Sequence, residues 1–180
     1  SPCAARLFSV SGTTATFGTQ YTLNGGTNSD QHDMCQITGT NKVFAVFRQA
    51  SNGYCKGQVL DCGSSGLTVT GGGPVTSHNG GTEYPTPAWD STNSQGYIVF
   101  RQGAALRGNV AAVSGTTVSF AGGDVNSNYS MASHKPAMVY NSVENKLLVM
   151  FEDSGSADTR IISITPSANT VTWSNQANMS

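Results

Sequence analysis

The chain has 180 residues, of which 37% are hydrophobic and 11% are charged, with a net charge of −1. This length supports one domain with a hydrophobic core, so we expect a single domain over residues 1–180. The balanced charge offers no basic face for a row of phosphates, which excludes nucleic acid as the expected partner. The apolar runs are short, which predicts no membrane span.

The first element in the chain is a predicted β-hairpin. Residues 6–17 read RLFSVSGTTATF, in which two alternating runs flank a Ser-Gly-Thr-Thr turn. The turn returns as SGLT at Ser65, SGTT at Ser114 and SANT at Ser167, each time between alternating runs. The chain therefore repeats a pair of strands, which we call the first and second strands of a unit.

A second pattern lies between these hairpins. The segments KVFAVFRQ, GYIVFRQ and KLLVMFED place Phe47, Phe100 and Phe151 at spacings of 53 and 51 residues. An apolar cluster and a turn precede each segment, which predicts a third and a fourth strand. No segment keeps a helical period. We therefore expect all-β repeat units of about 52 residues, at approximately 6–55, 56–106 and 107–159, with a partial unit at 160–180.

A four-stranded unit of this length matches one blade of a β-propeller. The predicted fold class is all-β and propeller-like, with three four-stranded blades and an extra C-terminal strand pair. Three blades cannot close a ring, and open sheet faces would aggregate. We therefore expect a homodimer that completes the ring.

Four cysteines lie in the first third of the chain: Cys3, Cys35, Cys55 and Cys62. Their even number in a polar chain of low charge predicts two disulfide bonds of undetermined pairing, and hence a secreted, extracellular protein. The alternative is four free thiols.

The repeated turn, followed by a polar loop and the A-x-x-x-N-S-x-x-N-K-x-x-V-x-F-x-D pattern, resembles the blade repeats of β-propeller proteins. The resemblance extends to secreted β-propeller lectins and to phage and bacterial surface proteins. It implies the architecture over residues 6–174, but propellers carry many functions. The sialidase-type Asp box is absent, which reduces the case for a glycosidase.

Long polar loops are predicted between the second and third strands, at one end of successive blades. Their acidic, histidine and tyrosine side chains, together with the charged residues that follow the repeated phenylalanines, suit carbohydrate binding. The alternative for the arginines is a structural role between blades. The predicted ligand-binding residues are His32, Asp33, Arg48, Glu83, Tyr84, Arg101, Tyr129, His134 and Glu152.

No pattern predicts catalysis, a cofactor or a metal. The histidine spacings are unlike metal-ligand motifs, and no nucleophile motif is present. The expected function is therefore a non-enzymatic, multivalent lectin that binds glycans on cell surfaces or glycoproteins. A structural or adhesin module of a phage or bacterial surface protein is the alternative, and a glycoside hydrolase is the third hypothesis.

Overall fold

The structure, a computed structural model, describes residues 2–63, 66–168, 170–174 and 177–178. Ser65 and Asn169 of the repeated turns lie outside these ranges. The N-terminal segment forms two small antiparallel pairs and one turn of 3-10 helix. These elements are β1 (Ala4–Ala5) with β4 (Tyr21–Thr22), β2 (Phe8–Ser11) with β3 (Thr14–Phe17), and the 3-10 helix Leu23–Gly26.

Three larger antiparallel sheets follow in chain order, each with strands paired in sequence. Sheet 1 contains β5 (Ser29–Ile37), β6 (Lys42–Gln49) and β7 (Tyr54–Asp61), with β8 (Thr70–Gly71) and β9 (Val75–His78) both on the edge of β7. Sheet 2 contains β10 (Thr82–Asp90), β11 (Gln95–Gln102), β12 (Ala105–Ser114) and β13 (Thr117–Ser130). Sheet 3 contains β14 (Ala137–Asn141), β15 (Lys146–Glu152) and β16 (Thr159–Thr165), with β17 (Thr172–Trp173) and β18 (Ala177–Asn178) on β16. The all-β prediction is confirmed.

Each large sheet takes its first two strands from one predicted repeat unit and its remaining strands from the next. The predicted extra C-terminal pair is wrong, because β16 pairs with β15 and is the third strand of sheet 3. The strand pairs outside the three sheets are instead at the N-terminus: β1 with β4, and the hairpin β2–β3. The predicted unit boundaries differ from the sheet boundaries because a repeating sequence can be divided into units at any point along its period. A sheet, in contrast, ends where the hydrogen bonding between strands ends.

The three sheets stack face to face through alternating apolar side chains. Phe47, Phe100 and Phe151 lie on the second strands of successive sheets and are all buried, as predicted. Phe44 and Val46 of sheet 1 pack with Phe100 of sheet 2 in one cluster. The other face of β11 packs on sheet 3. A four-stranded sheet is stable only when its apolar faces are covered, and the stack supplies that cover.

The stack has two ends. The outer face of sheet 1, with Ala45 and Phe47, is covered by Leu23 of the N-terminal segment. The outer face of sheet 3 leaves Leu148 and Met150 exposed. Within the described ranges the sheets do not close into a ring or barrel. No helix in that part of the chain is long and apolar enough to span a membrane.

The disulfide prediction is wrong, because all four cysteines are free thiols. Cys3 packs on the outer face of sheet 1, whereas Cys35 and Cys55 belong to the cluster on its opposite face. Cys35 lies opposite Phe44, and Cys55 lies opposite Arg48, so the two are also offset along the strands. A disulfide requires Cα atoms within about 7 Å, which these placements do not provide.

Candidate functional site

The predicted site residues gather where the first strand of each sheet begins and the second strand ends. This end of the stack, called the rim below, contains the starts of β5 and β10, the segment 131–136 before β14, and the ends of β6, β11 and β15. Two contacts join it across sheets. The backbone N–H of Tyr84 donates to Oε1 of Gln31 at 2.6 Å, and Nζ of Lys135 lies 3.0 Å from Oδ2 of Asp33.

One pair of an acidic and a basic side chain recurs in every sheet, with its members 18 positions apart in the sequence. Arg48 donates to both carboxylate oxygens of Asp30, with Nε–Oδ1 2.7 Å and Nη2–Oδ2 2.6 Å. Nη1 of Arg101 pairs with Glu83 on sheet 2, while Nε of Arg101 donates to the carbonyl of Met131 at 3.0 Å. In sheet 3 the order of charge is reversed, with Nδ1 of His134 at 2.8 Å from Oε2 of Glu152. The hydrogen bond from Arg48 lowers the pKa of Asp30, so that carboxyl stays charged.

A β-bulge follows the acidic residue in sheets 1 and 2. The pairing register shifts between Asp30 and Asp33 and again between Glu83 and Thr86. Gln31 at φ 49° and Tyr84 at φ 55° adopt left-handed conformations inside these bulges. Non-glycine residues seldom adopt such conformations, and strained residues cluster at binding sites. At these bulges Gln31 of sheet 1 and Tyr84 of sheet 2 meet through the side-chain-to-backbone hydrogen bond described above.

Below the rim, β5, β10 and β14 enclose an open funnel. A cavity of about 470 Å³ is lined by residues of all three strands, including Asp33, Thr86 and Met138, and by Lys135 of the segment before β14. A second cavity of about 310 Å³ continues along the same strands beside Trp89 and Tyr140. The hydroxyl of Thr86 donates to the carbonyl of Pro136 at 3.1 Å and ties sheet 2 to sheet 3 here. The funnel therefore offers a polar mouth above a mixed apolar and polar wall.

Most of the predicted ligand-binding residues lie at the rim, although strands rather than loops carry them. Only His134 lies between strands. His32 is exposed on β5 and lines an apolar cavity beside the N-terminal segment. The ring of Tyr84 is partly buried against the core. Tyr129 lies apart from the rim, on β13, with its ring centroid 6.1 Å from that of Phe151.

A second charged cluster was not predicted as a site. It lies in an outer groove of about 380 Å³ between sheets 1 and 2. Nδ1 of His78 lies 2.7 Å from Oδ1 of Asp124, and Nη1 of Arg107 donates to Oδ2 of Asp124 at 2.5 Å. Burial opposes ionisation of Asp124, but the hydrogen bonds from Arg107 and His78 outweigh it and lower the pKa. His78, Arg107 and Asp124 are far apart in the sequence, so no sequence motif indicates that they form a cluster.

The thiols near these clusters are poor nucleophiles. Burial, aided by the charge of Asp33, raises the pKa of Cys35 in the funnel to about 12. Burial also raises the pKa of Cys55, which lies opposite His78, to about 12. Both side chains therefore stay protonated at neutral pH. Among the described residues, no three His, Cys, Asp or Glu side chains are grouped so that they could hold a metal ion.

Comparisons with known proteins add no relative to this description. No protein family, curated protein or solved structure matches the chain.

Proposed function

We propose that the chain is a secreted, non-enzymatic lectin that binds glycans of cell surfaces or glycoproteins through the rim, as a propeller-like homodimer. The observation that carries the proposal is the recurrence of one charged pair at the same rim position of three sheets. A sugar hydroxyl both donates and accepts hydrogen bonds, so a fixed carboxylate beside a fixed cation matches it.

Several features favour binding over catalysis. The rim carboxylates of Asp33 and Glu83 are paired with Lys135 and Arg101, and that of Glu152 is hydrogen-bonded to His134. The funnel thiol of Cys35 stays protonated. The three pairs differ in chemistry, so their sites should be similar but unequal. Each should be weak, roughly 0.1–1 mM, with strength gained from several sites that engage one surface together.

The extracellular location depends on the composition alone, because the cysteines are unpaired. A surface rich in Gly, Ser, Thr and Asn and only 11% charged is typical of secreted all-β proteins. The exposed apolar face at the end of the stack favours a second candidate, the structural or adhesin module. Such a module would associate through its sheets and need no sugar site.

The test measures binding of the intact chain to a panel of immobilised glycans, with free sugar as competitor. We expect at least one glycan to be bound and displaced by its own monosaccharide. Glu83→Gln should weaken the free-sugar affinity of its own site about tenfold, because hydrogen bonds to charged groups contribute about 1.5–3 kcal/mol. The matched control is Glu144→Gln, an exposed residue in the turn at the other end of sheet 3.

Each outcome assigns one function. Binding that free sugar does not displace would favour the adhesin module. Release of product from aryl glycosides would favour the hydrolase. Equal loss in both variants, or no glycan bound at all, would contradict the lectin.

A further inference from the structure

All three sheets have the same orientation in the stack, so equivalent residues of each sheet face the next one. Because of this shared orientation, one end of the stack has a face that no sheet covers. Phe44 and Val46 of sheet 1 are fully buried against sheet 2. Tyr97 and Val99 occupy the same places in sheet 2 and are fully buried against sheet 3. Sheets 1 and 2 thus both use these positions to contact the sheet that follows them.

Sheet 3 has the same positions but no following sheet. Its equivalent residues, Leu148 and Met150, are 36% and 44% exposed. They lie opposite Val139, which is 60% exposed, and Ile161, and so form one apolar surface across three strands. We call these four residues the forward face of sheet 3. In sheets 1 and 2 this surface is an interface between sheets.

The N-terminal hairpin has the complementary surface. It repeats β12–β13 residue for residue, since Phe8 pairs with Phe17 and Val10 with Ala15 as Ala111 pairs with Phe120 and Val113 with Val118. In sheet 2 these positions contact the preceding sheet. In the hairpin Phe8, Val10 and Phe17 are 62%, 63% and 62% exposed.

The hairpin also lies in the stack at the position that a sheet before sheet 1 would occupy. Thr19 donates its backbone N–H to the carbonyl of Leu67, in the outer turn of sheet 1, at 3.2 Å. Gly18, directly after the hairpin, lies against the carbonyl of Leu67 as Gly72 of sheet 1 lies against the carbonyl of Thr116, in the outer turn of sheet 2. The hairpin is thus the outer half of a sheet that precedes sheet 1. Its exposed side looks toward the sheet before that.

We propose that the forward face of sheet 3 binds the Phe8, Val10 and Phe17 side of the hairpin from a second copy of this chain. The contact uses the same faces of the sheets as the interfaces between sheets 1, 2 and 3. Both surfaces are exposed in one chain, so the chain does not close on itself. Head-to-tail contacts of this kind make a ring when the rotation closes.

The number of copies follows from the size of such rings. Rings of stacked four-stranded sheets contain roughly four to eight sheets. Each copy supplies three complete sheets and the outer half of a fourth. Two copies stay within this range and three exceed it, so the assembly is a dimer with two identical contacts. One position differs from the inner interfaces: Ile161 stands where Gly57 and Gly108 receive the rings of Phe120 and Trp173.

The inference rests on the homodimer of the proposed function and specifies its contact. Its test measures only the mass of the assembly in solution. A failure of glycan binding would therefore leave it intact, and the reverse also holds. Sedimentation equilibrium of the intact chain should give twice the chain mass of 18.7 kDa. Met150→Asp and Phe17→Asp should each give one chain mass, because each removes one side of both contacts. Val143→Asp, a substitution at an apolar turn residue that is 91% exposed, is the control and should remain dimeric.

Mixing the two variants tests the direction of the contact. The hairpin of a Met150→Asp chain and the forward face of a Phe17→Asp chain are both intact, so the mixture should restore a dimer through one contact. Circular dichroism should show unchanged strand content, since all three side chains are exposed. A monomeric wild type would overturn the proposal. A dimeric Phe17→Asp variant beside a monomeric Met150→Asp variant would also overturn it, because sheet 3 would then pair with itself.

Discussion

At the residue scale, the molecule uses charge in two environments. The rim pairs are half-exposed, so water screens them and they contribute little to stability. Asp124 is more buried and accepts hydrogen bonds from both His78 and Arg107. Removing its charge would leave Arg107 without its partner in a sheltered groove. We therefore assign the proposed recognition role to the rim, whereas the outer cluster joins sheets 1 and 2.

Replacement of Asp124 by Asn should lower the free energy of unfolding by about 1–3 kcal/mol at pH 7. The folded-state pKa of Asp124 lies below its ordinary value of 3.8. Its contribution is therefore complete above that value and is lost as the pH falls through the folded pKa. Urea unfolding at several pH values should show the difference from wild type shrinking in acid.

The control for this series is Glu144→Gln, which removes an exposed carboxylate and should match wild type throughout. A deficit of Asp124→Asn that is equal at pH 7 and in strong acid would contradict the ion-pair explanation.

At the element scale, each contact between neighbouring sheets includes an aromatic ring of one sheet that packs on a glycine of the preceding sheet. A Cβ on Gly57 of β7 would lie 2.6 Å from Cζ of Phe120 on β13. A Cβ on Gly108 of β12 would lie 2.9 Å from Cζ2 of Trp173 on β17. The outer strand of one sheet thus presses its ring onto bare backbone of the preceding sheet. These glycines are needed for close approach, not for a turn.

Gly57→Ala should destabilise the protein by about 1–3 kcal/mol, because overpacking forces a ring or a strand to move. Gly73→Ala is the matched control, since a Cβ there meets nothing within 4 Å, and it should stay within about 0.5 kcal/mol of wild type. Thermal or urea unfolding measures both. Equal stability of the two variants would show that the ring yields without cost.

The sequence predicted elements well where a period of two and a turn occurred together. The strands around Phe47, Phe100 and Phe151 are examples. It predicted loops at 24–33 and 76–85 because their residues are polar, yet β5 and β10 begin there. These strands line an open funnel, where polar side chains suit a strand. Arg48, Arg101 and Glu152 were found because they follow the repeated phenylalanines, and Glu83 and His134 because they lie in the predicted polar loops. The bulges at Gln31 and Tyr84 have no sequence signature.

At the scale of the whole molecule, the chain is a stack with direction. Sheet 1 is covered by the N-terminal segment, and sheet 3 presents its forward face to solvent. The expected partner follows from the count of repeats, and it stays a prediction. The sequence could not predict which strand pair lies outside the three large sheets, because the repeat units can be counted equally well from either end of the chain. Pairing of β16 with β15 and of β2 with β3 decides it.

The shared direction of the sheets also decides what the protein can hold together. Because β5, β10 and the segment before β14 meet at one end of the stack, every rim site looks the same way. In the proposed dimer the second copy is related by rotation about the ring axis, so the whole assembly is a disc with one adhesive side. Such a disc coats a surface but cannot bridge two.

Labelled protein should therefore stain glycan-bearing cells in flow cytometry without agglutinating them. An antibody that cross-links the back of the disc should produce clumping. Agglutination by the protein alone would mean that binding sites face both sides.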